Sequence, residues 1–257
     1  MMKKQLDVVG CSCMTLTSQN QNPYWFRTCD IDTDIWKEGA HIVSVPAGET
    51  ISFTEREKEE SRYAFLGITN NENDNWLLDG INSEGLAGGL LLLLEGTSVE
   101  KSVADERKRQ GYVGMELVTL VLSSCKNVEE VMVIAPQLLV CNIPFEGQQV
   151  PATMHYFFAD ASGNEVILEA SEKERPGEFT IYPKKEGIGI MTNSPVFPAQ
   201  KENLAWYLAA SPELQILKEN AESPFLSFDG RIIMTNFVVH LIWQNITSKY
   251  EICFYRL

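Results

Sequence analysis

Apolar and polar positions alternate in short runs over the first ninety residues, the period of strands with one buried face. Met14–Thr17 and Tyr24–Thr28 are two such runs, and the turn-forming stretch from Ser18 to Pro23 between them predicts a hairpin. His41–Val45 is a third strand, closed by Pro46 and Gly48, and Tyr63–Ile68 a fourth after a charged loop. Trp76–Leu78 and Leu86–Leu94 flank Asp79-Gly80-Ile81-Asn82-Ser83-Glu84-Gly85, which reads as a hairpin turn. Leu86–Leu94 is apolar enough to be buried on both faces. From about Val99 the period lengthens. Val113, Leu117, Leu120 and Val121, then Val128, Val131, Met132 and Ala135, recur at helical spacing. Lys126-Asn127 breaks the run, so two helices are expected, with Asn127 capping the second and Glu129 and Glu130 in its first turn. Strands return at Met154–Ala159, Val166–Ala170, Phe179–Tyr182 and Gly189–Met191. A helix from Gln200 to Leu217 and a hairpin from Trp243 to Tyr255 complete the chain. Strands, helices, strands and helix in that order predict an α+β fold of antiparallel sheets covered by helices.

Composition narrows the partners. The chain has 257 residues, 44% hydrophobic and 22% charged, enough for one sizeable core. A net charge of −14 repels phosphate backbones and anionic lipid, so neither nucleic acid nor a membrane is an expected partner. No stretch has the length of a membrane span. Met1–Gly10 carries Lys3 and Lys4, but Gln5 and Asp7 interrupt the apolar region that a secretory signal needs. Six widely spaced cysteines fit reduced thiols in a cytoplasm. Cys11 and Cys13 have no second ligand pair at zinc spacing, and His41, His155 and His240 are scattered, so no metal and no cofactor is expected.

Cys11 alone reads equally as a small buried side chain or as a nucleophile. Its context is more specific. Cys11-Ser12, followed sixteen positions later by Arg27-Thr28-x-Asp30, resembles the opening of the choloylglycine hydrolase and penicillin V acylase family. Asp79-Gly80-Ile81-Asn82-Ser83-Glu84-Gly85-Leu86 resembles that family's Asp-Gly-x-Asn-x-x-Gly-Leu hairpin, and Thr192-Asn193-Ser194-Pro195 its Thr-Asn-Ser-Pro segment. The resemblance runs over about residues 11–210 and again over 243–257.

It implies a four-layer αββα sandwich of the N-terminal-nucleophile hydrolases, here shortened near the C-terminus. A prosegment, residues 1–10, would be removed from a single domain, 11–257. Cys11 would then attack a linear amide, with its own α-amine as the general base, which removes any need for a catalytic histidine. By the same resemblance Arg27 favours the thiolate, Asp30 orients the α-amine, and Asn193 and the backbone N–H of Leu92 form the oxyanion hole. Asn82 is a turn residue holding the hairpin near the site. Arg27 and Asp30 also admit a plainer reading, an ion pair at a strand end. The implied substrate is a small N-acyl amide and the implied assembly a homo-oligomer, dimer or tetramer.

Two departures bear on activity. Leu90–Leu94 stands where bile salt hydrolases carry Gly-Leu-Asn-Phe-Pro, which favours a penicillin V-type substrate over conjugated bile salts. The segment that supplies the family's second active-site arginine is not recognisable, and the neighbours of Arg231 do not fit it. A shortened member that binds ligand with little turnover is therefore the alternative. Tyr24, Trp25, Phe65 and Trp76 are the candidate lining of an acyl pocket. A papain-type enzyme is a poor fit, because its Cys-Gly-Ser-Cys-Trp signature is absent and His155 lies in an alternating strand pattern.

Overall fold

The computed structural model describes residues 10–18, 22–30, 35–54, 56–69, 74–142, 153–210 and 251–256. Strands β1 (Gly10–Thr17) and β2 (Pro23–Asp30) form the expected hairpin, each longer than its apolar run. Cys11, which precedes the apolar run, therefore lies within β1. The small sheet has the order β14-β1-β2-β15, with β14 at Ile190–Thr192 and β15 at Glu251–Arg256. The rest of the expected C-terminal hairpin, Arg231 and the end of the last helix lie outside the described residues.

The large sheet has seven strands: β3 (His41–Val45), β6 (Phe65–Thr69), β7 (Asp79–Asn82), β8 (Ala87–Leu92), β11 (Met154–Ala159), β12 (Glu165–Glu169) and β13 (Thr180–Pro183). Their order is β13-β12-β11-β8-β7-β6-β3, and every adjacent pair is antiparallel. Asp79–Asn82, expected as a turn, is a strand. The chain reverses one step later, through Gly85 at φ +78°, a conformation open to glycine at no steric cost. Trp76–Leu78, expected as a strand, is not one.

Two short ladders lie outside these sheets. Strands β4 (Thr50–Ile51) and β5 (Glu59–Glu60) pair antiparallel. Strands β9 (Gln110–Val113) and β10 (Leu138–Cys141) pair in parallel. Val113, expected in a helix, thus belongs to a strand.

The two sheets pack face to face. Cys11, Cys13, Trp25, Leu91, Phe157, Ile167 and Met191 fill the layer between them. Gly89 admits this contact, since a Cβ there would meet the Trp25 ring at 2.9 Å. Thr15 on β1 donates to the buried Glu165 carboxylate on β12, which also ties the sheets together.

The outer face of the large sheet is covered by α2 (Leu117–Ser124) and α3 (Val128–Ile134), with Leu122, Val118, Val131, Tyr156 and Phe158 among the core residues there. Asn127 caps α3 as expected, accepting from the Glu130 N–H at 3.0 Å. Helix α1 (Lys101–Glu106) precedes β9, and α4 (Phe197–Ala210) follows β14, beginning earlier than its apolar spacing indicates. No helix among the described residues is long and apolar enough to cross a membrane.

Candidate active site

The pleat of the β1–β2 hairpin sets the arrangement. Cys11 lies opposite Cys29 and Cys13 opposite Arg27, so all four side chains fall on the same face, toward the large sheet. Arg27 is diagonal to Cys11, and its Nη2 donates to the Cys11 sulfur at 3.5 Å. Its Nη1 donates to Asp79 Oδ2 at 3.1 Å, across the gap between the sheets. Arg27 is 3% exposed and Asp79 1%.

Burial opposes a charge on the guanidinium. The neighbouring Cys11, Cys29, Asp79 and Cys13 more than offset it, and the Arg27 pKa stands well above its ordinary value. A permanent cation beside the thiol favours its thiolate form, the nucleophilic one. At Cys125 burial outweighs the Ser124 hydrogen bond and the nearby Arg62, and the thiol is pushed up to about 11.

Strand β14 delivers the third component. Thr192 pairs with Ser12, which sets Asn193 beside Cys11, and Asn193 Oδ1 accepts the Cys11 N–H at 2.7 Å. Asn193 Nδ2 is buried and donates to no atom among the described residues. A buried donor without an acceptor costs about 1–3 kcal/mol.

The loop is held by Gln200 on α4. Its Nε2 donates to the carbonyls of Thr192, Asn193 and Pro195, and its Oε1 accepts the Thr192 N–H at 3.1 Å. Ser194 adds a second tether, accepting the Leu94 N–H at 2.9 Å and donating to Glu95 at 2.7 Å. The Ser194–Pro195 peptide bond is cis.

The structure therefore brings together Cys11, Arg27 and Asn193. Asp30 closes the hairpin by pairing with Gly10; its side chain lies outside the described part. Leu92 ends β8 opposite Met154, with its side chain packed on the helix-side core. Leu93 N–H points into the β11 side and Leu90 N–H toward β7, so the Leu92 N–H shares the latter direction, out of the β11 ladder.

Asn82 stands apart from the thiol. Its Nδ2 donates to the carbonyls of Leu122 and Cys125, and its Oδ1 accepts from Glu84 and Leu86, so it staples the hairpin to α2. The four aromatics do not form one pocket, which corrects that expectation. Trp25 is in the layer between the sheets, whereas Phe65 and Trp76 pack on the helix side.

Two residues outside the sequence-based set belong to the site. Asp79 was legible as part of the Asp-Gly-x-Asn block, but a turn reading hides a carboxylate that the strand aims inward. Gln200 gives no local signal, since its partners are backbone groups.

A family model, the linear amide C–N hydrolases of the choloylglycine hydrolase family, matches residues 11–227. The chain belongs to this family. Among curated proteins it is 27% identical over 200 residues to a bile salt hydrolase/transferase of Lactiplantibacillus plantarum, covering 77% of this chain and 58% of that one. It is also 27% identical over 161 residues to an uncharacterized protein of Paramecium bursaria Chlorella virus 1, covering 62% of this chain and 55% of that one. A crystal structure of mutant conjugated bile acid hydrolase from Clostridium perfringens superposes with a TM-score of 0.66 at 22% identity, covering 77% of this chain and 57% of that one. That likeness shows the fold, an αββα sandwich. The chain spans a little over half the length of the curated relatives it matches.

Within this family fold, replacing Gln200 with Ala is expected to loosen the Asn193 loop. A misplacement of about 1 Å would lower kcat by about 100-fold. Steady-state kinetics beside a melting curve separates this from general unfolding: kcat should fall far more than the melting temperature suggests.

Proposed function

We propose that this protein hydrolyses the linear amide bond of a small N-acyl compound, with Cys11 as the nucleophile at the start of the mature chain. The observation that carries the reading is the convergence on one cysteine of two groups: the Arg27 cation, 3.5 Å from the sulfur, and the Asn193 amide, whose Oδ1 accepts the Cys11 N–H and whose Nδ2 has no acceptor among the described residues.

Each group has a task. Arg27, braced by Asp79, favours the Cys11 thiolate. Release of residues 1–10 turns the Cys11 nitrogen into an amine, which takes up and returns the proton as the thiol attacks and the leaving amine departs. That nitrogen stands 2.7 Å from Asn193 Oδ1, which holds it beside the sulfur. Asp30, at the end of β2 and opposite Gly10, is the candidate second acceptor for the amine. The attacked carbonyl oxygen takes the vacant hydrogen bond of Asn193, with the Leu92 N–H as the second donor. Losing one such donor costs about 2.7–4 kcal/mol of barrier.

Leu90–Leu94 offers no side-chain donor or acceptor. It stands where bile salt hydrolases carry Gly-Leu-Asn-Phe-Pro, with Leu92 at the position of the asparagine. Phenoxyacetyl and other apolar acyl amides are therefore preferred to glycine or taurine conjugates of bile acids. The test is kcat/KM across a panel of both classes, where a higher value for glycocholate than for phenoxyacetyl amides overturns the ranking.

A further inference from the structure

We propose that Cys11 and Cys29 form a reversible disulfide when the protein meets a peroxide, and that this bond shuts off the nucleophile. The case begins with the ladder. The Cys11 N–H points to Asn193 and the Thr15 N–H to the Gly189 carbonyl, both on the β14 side. Cys11 and Cys29 are therefore a non-hydrogen-bonded pair of the β1–β2 hairpin. In such pairs the Cα atoms approach to about 4.5 Å and the side chains lean together, within the range of about 4.4–6.8 Å that a disulfide spans.

Cys13 cannot take the role of Cys29. Two steps along an extended strand separate Cβ atoms by about 6.7 Å with parallel Cα–Cβ bonds, beyond what a disulfide bridges. Both cysteines of the pair are free, and Cys29 is half-buried.

Electrostatics supports the order of events. The Cys29 thiol hydrogen-bonds to Cys11, and this contact, with burial, raises its pKa. Arg27 donates to the Cys11 sulfur, so Cys11 is the member of the pair that attacks first. The Cys11 sulfur attacks one peroxide oxygen, the O–O bond breaks, and the departing oxygen leaves as water after taking a proton. Cys11 is now a sulfenic acid without charge. Its repulsion is gone while Arg27 remains, which lowers the Cys29 pKa toward ionisation. The Cys29 sulfur attacks the Cys11 sulfur, the S–O bond breaks, and hydroxide leaves with the Cys29 proton as a second water. Two thiols have lost two electrons and two protons, and hydrogen peroxide has become two waters. A dithiol reductant reverses the bond by exchange.

The pairing needs only the strand register; its effect on turnover rests on Cys11 being the nucleophile. The full chain is treated with one equivalent of hydrogen peroxide, digested without reductant and mapped by mass spectrometry. Cys11 labelling by iodoacetamide and amide hydrolysis are followed in parallel. The expected result is a Cys11–Cys29 linked peptide lighter by two hydrogens, with labelling and hydrolysis both lost and both restored by dithiothreitol. In Cys29→Ser, a second equivalent of peroxide should instead carry the Cys11 sulfenic acid to the sulfinic acid, with losses that dithiothreitol does not reverse, whereas Cys13→Ser should behave as the parent. No linkage, or linkage of Cys11 to another cysteine, overturns the proposal, with circular dichroism confirming a folded sample. A Cys11–Cys29 bond that leaves hydrolysis intact overturns the shut-off and, separately, the assignment of Cys11 as nucleophile.

Discussion

Asp79→Ala is expected to destabilise the protein by about 3–5 kcal/mol, because it leaves the buried Arg27 guanidinium without its carboxylate. The loss should appear as a large drop in the denaturant midpoint with little change in slope. Activity should fall as well, since Arg27 loses the group that aims it at Cys11. A double variant, Arg27→Met with Asp79→Leu, separates the two roles. Replacing a buried ion pair by apolar residues of similar size is often neutral or stabilising. The double variant should therefore regain much of the stability while remaining inactive. An active double variant would show that the cation is dispensable to the thiol.

Cys11→Ala should reduce hydrolysis to background, a loss of about 10,000-fold or more, since a nucleophile has no substitute within its own mechanism. Cys13→Ala is the matched control. Its thiol is fully buried on the same face of the same strand, but it lies directly opposite Arg27, where Cys11 is the one that also neighbours Asn193. It should keep most of its activity at a modest cost in stability. Equal losses in both variants would remove the reason for choosing Cys11.

The amino-acid pattern revealed strands both at the exposed edge of the large sheet and in its buried centre. His41–Val45 and Met154–Ala159 are observed with the expected boundaries, and the α+β class follows from the order of such elements, whereas the family fold was implied by the motif resemblance. The pattern misread Asp79–Asn82, where Asp, Gly and Asn are turn formers by composition. Here they are strand residues because Arg27 satisfies the aspartate and the carbonyls of Leu122 and Cys125 satisfy the asparagine. Helix α1 and the parallel β9–β10 ladder were hidden for a related reason, since six- and four-residue elements are too short to display a period. Within the site, Cys11, Arg27 and Asn193 were legible because motif spacing records them. The clamp by Gln200 and the apposition of Cys29 were not, since both depend on which backbone groups and which register the fold brings alongside.

The most direct test of the account is to quench the protein in acid during turnover of a phenoxyacetyl amide and map the covalent adduct by mass spectrometry. The prediction is a peptide that begins at Cys11 and carries the acyl group as a thioester on that residue. An acyl group on another residue, an active chain that still carries residues 1–10, or a folded chain that binds the amide without acylation would contradict it.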